Sequence, residues 1–230
     1  DSYSVEAGGM AGYADSYMIM KDITIMPGTI VTSAGDYYNE RYAAGGIIGR
    51  AYNVRFAGNI TSAATVNGSL AGGIVGEIGY SYSNSLHDDG TVFTNSGNIS
   101  GQEAGGLFGR YYCNSTPEYK CTFNNSGNIS GEIYAGGYMG YSDINLESFV
   151  SGTCSGNVTA TTTTSDYNYM WVGWKFGSYG GIEATQEANK GYTGTPVVNG
   201  TSDNDNVQIF INGFLKNGAN TGGYDKVEWN

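Results

Sequence analysis

One six-residue pattern recurs along most of this chain and limits what it can fold into. Its clearest copy is Ala104-Gly105-Gly106-Leu107-Phe108-Gly109, and it returns at residues 7–12, 44–49, 71–76 and 135–140, with a frayed copy at 172–177. Successive copies start 37, 27, 33, 31 and 37 residues apart, a spacing that suits one solenoid coil per repeat. A second element, Phe93-Thr94-Asn95-Ser96-Gly97-Asn98-Ile99-Ser100-Gly101, comes back almost unchanged at residues 123–131. Weaker copies are read at residues 54–61 and 154–159.

Stacking the copies shows which positions stay apolar. The column Ala7, Ala44, Ala71, Ala104, Ala135, Val172 never turns polar, and neither does Ala11, Ile48, Val75, Phe108, Met139, Phe176 four residues later. Positions of equal parity facing one side are strand behaviour. The column Met10, Ile47, Ile74, Leu107, Tyr138, Lys175 ends in a lysine and is expected to be the more exposed one. On that register Phe108→Ala should cost about 3–5 kcal/mol and Leu107→Ala clearly less. In the second element the apolar column is read as Ile60, Ile99, Ile129, Val158. Asn95 and Asn125 share parity with the isoleucines. They either point inward as a hydrogen-bonded amide ladder or are turned away by a bend at the following glycine.

Composition supports an all-β solenoid and excludes alternatives. The 38 glycines among 230 residues need tight corners or close backbone approach, because each glycine inside a strand costs about 0.5–1 kcal/mol. Three prolines and no three-residue period exclude collagen, and 40% hydrophobic residues argue against disorder. A formal net charge of -11 opposes nucleic acid and anionic membrane surfaces as partners. No apolar run is long enough to span a bilayer as a helix. Of the three cysteines, Cys113 and Cys121 could close a disulfide or remain reduced.

The series Gly106-Leu107-Phe108-Gly109 and its companion Asn-Ser-Gly-Asn-Ile-Ser-Gly segments resemble the GLUG-motif repeat over roughly residues 7–177. The resemblance implies a right-handed parallel β-helix on an exported bacterial protein, often lipid-anchored or part of a larger surface protein, as in adhesins. It brings no catalytic centre. The expected architecture is an all-β parallel β-helix of five to six coils over residues 1–181, with a C-terminal cap over 182–230. Strands are expected at Ile23-Thr24-Ile25, at 29–32 and at 207–211, and a helix over 182–190.

Function is sought in the linkers, since insertions in a solenoid emerge on one face. The linkers after the first element begin with tyrosines, and Tyr52, Tyr80, Tyr82, Tyr111, Tyr112 and Tyr141 are the candidate ligand-binding residues, with Tyr13 and Tyr179 at the ends. Exposed aromatic rings can stack on a sugar while their hydroxyls hydrogen-bond. The competing reading is a structural tyrosine ladder that shields the coil edge. His87-Asp88-Asp89 is read either as a cation or acid/base site or as a solvated loop tip ending in the turn Asp89-Gly90. No catalytic residue, metal site or cofactor is expected: carboxylates are scattered, no HExxH occurs, and Gly8-Gly9-x-x-Gly12-x-x-Asp15 has the wrong spacing for a calcium β-roll. Four of the eight Asn-x-Ser/Thr sequons, at Asn59, Asn98, Asn128 and Asn157, belong to the repeat itself and are read as its geometry. The expectation is a noncatalytic surface or secreted solenoid that binds a glycan or host surface protein, with a structural spacer as the rival and a polysaccharide-active enzyme behind it.

Overall fold

A computed structural model describes residues 5–34, 42–79, 87–112, 119–143, 150–162, 169–179, 189, 198–202, 208–211 and 214–216. Within them the protein is all-β, and two parallel sheets wind around one core. β1 (Val5–Gly8) and β2 (Ala11–Ile25) meet at the first glycine corner, and β3 (Ile30–Thr32) follows. β4 (Tyr42–Gly45), β5 (Ile48–Ser62) and β6 (Thr65–Gly72) repeat this order, with β6 ending one coil and starting the next. Then come β7 (Val75–Ile78), β8 (Thr91–Asn95), β9 (Ile99–Gly105), β10 (Phe108–Tyr111), β11 (Cys121–Asn125) and β12 (Ile129–Gly136). β13 (Met139–Ser142), β14 (Val150–Cys154), β15 (Val158–Thr162), β16 (Tyr169–Gly173) and β17 (Phe176–Tyr179) continue the pattern. β18 (Val198–Ser202), β19 (Gln208–Ile211) and β20 (Phe214–Lys216) end it.

The alanine column is real and in register: Ala7, Ala44, Ala71, Ala104, Ala135, Val172 and Ile211 pair rung by rung. In the wall after the corner, β5, β7, β10 and β13 have neighbours on both sides, so about four regular coils stand between two end coils. That is fewer than the five to six expected, because the end coils depart from the pattern. β18 and β19, within the expected cap, add rungs to β15 and β16. The helix expected over 182–190 lies outside the described residues except for Asn189. No helix among the described residues is long and apolar enough to cross a membrane.

The corner is where period two fails. Leu107 and Phe108 are both fully buried, and so are Ile47 with Ile48 and Ile74 with Val75. The column expected to be exposed is therefore inside, apart from Met10 at the open end and the half-buried Lys175. The cause is the backbone: the N–H groups of Leu107 and Phe108 both donate to the Tyr138 carbonyl, at 2.9 and 3.0 Å, so two successive residues turn toward the core. A Cβ on Gly105 would lie 1.9 Å from the Phe108 carbonyl oxygen, and one on Gly106 2.0 Å from that of Gly137. Only glycine allows this corner and the next coil to close on it.

A second correction concerns register in the other element. Ile60 stacks on Phe93, while Ile99 stacks on Val66, so the copy read at 54–61 is displaced. The column is Val31, Val66, Ile99, Ile129, Val158, Val198. β5 runs through Gly58, at φ +70°, without turning a corner there. The turn comes later, where Gly97 stacks against the Ala64 carbonyl. Asn95 and Asn125 are buried and form the inward amide ladder even though the chain bends after each of them. The Asn95 Nδ2 donates to Asn125 Oδ1 at 2.9 Å, and each amide also bonds the backbone two residues on. Beside this ladder runs an aromatic spine, with Phe56, Phe93, Phe123 and Tyr138 at successive centroid distances of 5.5, 5.4 and 5.6 Å.

Cys121 and Cys154 are free, buried thiols; Cys113 lies outside the described residues. Because Leu107 is as buried as Phe108, the two truncations no longer separate. Leu107→Ala is expected to cost about 2–5 kcal/mol, overlapping the 3–5 kcal/mol of Phe108→Ala, in urea unfolding of the two variants.

Candidate functional site

Directly after the third glycine of each corner stand Tyr13, Arg50, Glu77, Arg110, Tyr141 and Ser178, one per rung and in register. Directly before the alanine stand Glu6, Ala43, Leu70, Glu103, Tyr134 and Trp171. The narrow corner brings these two columns together. In one coil the Arg110 guanidinium donates from Nε and Nη2 to both oxygens of Glu103, with Nε–Oε2 at 2.5 Å. Glu103 is fully buried and Arg110 nearly so. In the next coil the same two positions hold Tyr134 and Tyr141, with ring centroids 5.5 Å apart. Arg50 donates to Glu77 at 2.6 Å and pairs with Glu6 at 3.0 Å, so opposite charges alternate along Arg50, Glu77 and Arg110.

Around this strip the tyrosines gather in two groups. The Arg110 guanidinium lies over the rings of Tyr112 and Tyr141, at 5.4 and 5.6 Å, and those rings are 5.6 Å apart. Tyr112, Tyr134 and Tyr141 are all half-buried, each leaving part of its ring accessible. Tyr13 and Tyr52 form the other group, at 5.8 Å, with Tyr13 hydrogen-bonded to Asp15. Next to them Arg50 Nη2 and Asn53 Oδ1 are buried with no hydrogen-bond partner in the protein, places suited to an ordered water or a ligand hydroxyl.

The candidate residues thus divide. Tyr112 and Tyr141 come together, and Tyr52 joins Tyr13. Tyr80 and Tyr82 lie outside the described residues. Tyr111 is no part of an accessible face: it is 1% exposed and packs on Phe108 at 5.8 Å, because the ladder passes over Gly109 and turns residue 111 inward. Sequence reasoning missed Tyr134, Glu103 and Arg110. Their signal was there in the alternation of Arg50, Glu77 and Arg110 beside the repeat glycine.

His87 is not a solvated loop tip. It is 2% exposed, bridges Phe56 and sets its ring 6.1 Å from that of Phe93. Burial pushes its pKa down, so the neutral imidazole is the folded form. Among the described residues no group of three His, Cys, Asp or Glu side chains is placed to hold a metal ion. A shallow cleft lined by Ser33, Asn67, Ser69, Gln102 and Glu132 offers hydroxyls and amides but no ring, and burial raises the Glu132 pKa. The tyrosine strip is therefore the better candidate. Comparison with protein-family models, curated proteins and solved structures finds no match for the chain.

Two measurements check this description. Glu103→Ala removes the buried carboxylate that Arg110 holds with two donors and is expected to cost about 3–5 kcal/mol in urea unfolding. Glu103→Tyr with Arg110→Tyr, copying the next coil, should recover most of that loss. His87 has a folded pKa below its ordinary 6.5, so the unfolded chain binds more protons there. Its contribution to stability is complete above about 6.5 and is lost as pH falls toward the folded value, and His87→Gln should flatten the slope of stability as pH falls below about 6.5.

Proposed function

We propose that this protein is a noncatalytic, exported β-solenoid of the GLUG-repeat kind that binds a glycan through its tyrosine strip. The observation that carries the reading is the group Tyr112, Tyr134 and Tyr141 around Arg110: three half-exposed rings held in fixed relation by a guanidinium whose charge Glu103 already balances. Rings ordered in advance lose little conformational freedom when a flat sugar face stacks on them. A neutral ligand also avoids the repulsion that a net charge of -11 imposes on polyanions. The setting proposed is the outer surface of a bacterium, as an adhesin or as one module of a longer surface protein, attached through a lipid anchor elsewhere in that protein.

The rival reading is a structural spacer, and one observation favours it. The same rings pack on one another, as a ladder that shields the coil edge does. The two separate in a glycan-array screen followed by titration calorimetry. Binding is expected, with Tyr112→Ala or Tyr141→Ala raising Kd about tenfold or more, equivalent to 1.4 kcal/mol. A ligand whose affinity is untouched by both substitutions rules out this face. Absence of any ligand, with both variants only less stable, establishes the spacer.

A further inference from the structure

A second glycine column runs through the middle of β6, β9 and β12, where Gly68, Gly101 and Gly131 pair rung by rung. A Cβ on Gly101 would lie 2.1 Å from the Gly68 carbonyl oxygen, so the column is a bare line of touching backbones. Gly68 and Gly101 line the cleft already described, about 170 Å³ in volume, together with Asn67, Ser69, Gln102 and Glu132 from three successive rungs.

A β-bulge aims the carboxylate at this cleft. Between Gly131 and Tyr134 the register shifts, so that Gln102 of β9 faces two residues of β12. The extra residue leaves Ile133 buried and Glu132 lining the cleft. Bulges re-aim side chains that a regular ladder would place elsewhere.

The polar groups brought together are unused. The side chains of Asn67, Ser69, Gln102 and Glu132 hydrogen-bond to no described residue, although Ser69 is only 7% exposed and Gln102 Oε1 is buried. Buried polar atoms of folded proteins normally have a partner. Ser33, the other hydroxyl here, already donates to the Val5 carbonyl at 2.7 Å. What the cleft lacks is a donor: Gln102 Oε1 and the Glu132 carboxylate only accept, and no Lys, Arg or His is among the residues that line it. Burial is the one cause that raises the Glu132 pKa, so no neighbouring cation offsets the cost of its charge.

We propose that this cleft binds a primary ammonium group carried on a slender stem, as on a lysine side chain or a linear diamine. The three N–H donors of such a group answer Gln102 Oε1, the Glu132 carboxylate and the Ser69 hydroxyl, and its charge balances Glu132. The net charge of -11 draws a cation toward the protein before contact. Calcium wants about six to eight oxygen ligands, and one carboxylate is a poor start. An amino sugar would bring a ring to a cleft that has no aromatic side chain to stack on it. The site is independent of the glycan reading of the tyrosine strip.

Two-dimensional NMR of the whole chain, titrated with n-butylammonium, is expected to show saturable shifts of the Asn67 and Gln102 side-chain amides. Tetramethylammonium, with the same charge and no N–H, should bind about tenfold more weakly or worse, and so should glucosamine, whose ammonium sits on a ring. Glu132→Gln should raise the butylammonium Kd about tenfold or more, and Gln102→Met about threefold or more. Neither residue hydrogen-bonds within the protein, so both variants should unfold thermally at no lower temperature than the unaltered chain. Cadaverine and Nα-acetyl-lysine methylamide separate the two sources of the group: tighter binding of the first identifies a free diamine, tighter binding of the second a lysine of a partner protein. No saturable shift with any primary amine overturns the proposal. So does equal binding of tetramethylammonium, a Kd unchanged by Glu132→Gln, or calcium that binds more tightly and displaces butylammonium.

Discussion

The whole structure depends on how closely two stretches of backbone approach at the glycine corner. With 1.9 Å between a hypothetical Gly105 Cβ and the Phe108 carbonyl oxygen, no side chain can stand there. The corner shapes what surrounds it. Alanine or valine fills the wall position from Ala7 to Val172, wherever the corner glycine follows, and only the last rung carries the larger Ile211. The bulk that such a thin edge cannot supply comes from farther inside, from the Phe56, Phe93, Phe123 and Tyr138 spine. Stacking then multiplies every local choice, since each residue meets its own counterpart in the next rung.

That multiplication is also a hazard, and the protein meets it differently on each side of the coil. Inside, a polar residue repeated in register is tolerable when it bonds both to its copy and to the corner, as Asn95 does with Asn125 and Gly97. On the flanks of the corner like charges in register would repel, and the sequence alternates sign through Arg50, Glu77 and Arg110 before changing to rings at Tyr141. The tyrosine strip begins where the charge alternation stops. Its rings inherit the spacing of the ladder beneath them.

Much of this was legible in the sequence, for a physical reason: a residue that repeats every coil is under one constraint many times over. The parallel solenoid and the alanine column follow from it, and the strand read at 207–211 from its own apolar run is met by β19 over Gln208–Ile211. What was not legible lies where period two breaks. At the corner two consecutive residues turn inward, so Leu107 is buried together with Phe108, and the skipped Gly109 does the same for Tyr111. Gly58 resembles the corner glycine Gly97 in sequence, but it sits in the middle of β5, and only pairing partners reveal that Ile60 belongs with Phe93. His87 was misjudged because Phe56 and Phe93, which bury it, are distant in the chain. Glu103, Arg110 and Tyr134 were overlooked because they vary between copies, and the strip is made of what varies.

Asn189 carries a last implication. Its side-chain Oδ1 accepts the N–H groups of Lys175 and Phe176 and its Nδ2 donates to the Phe176 carbonyl, so one side chain does at this corner what the carbonyl of the next coil does at the earlier ones. Duplication of a unit of roughly thirty residues between Tyr42 and Gly136 would lengthen the rod while leaving the corner that Asn189 serves untouched.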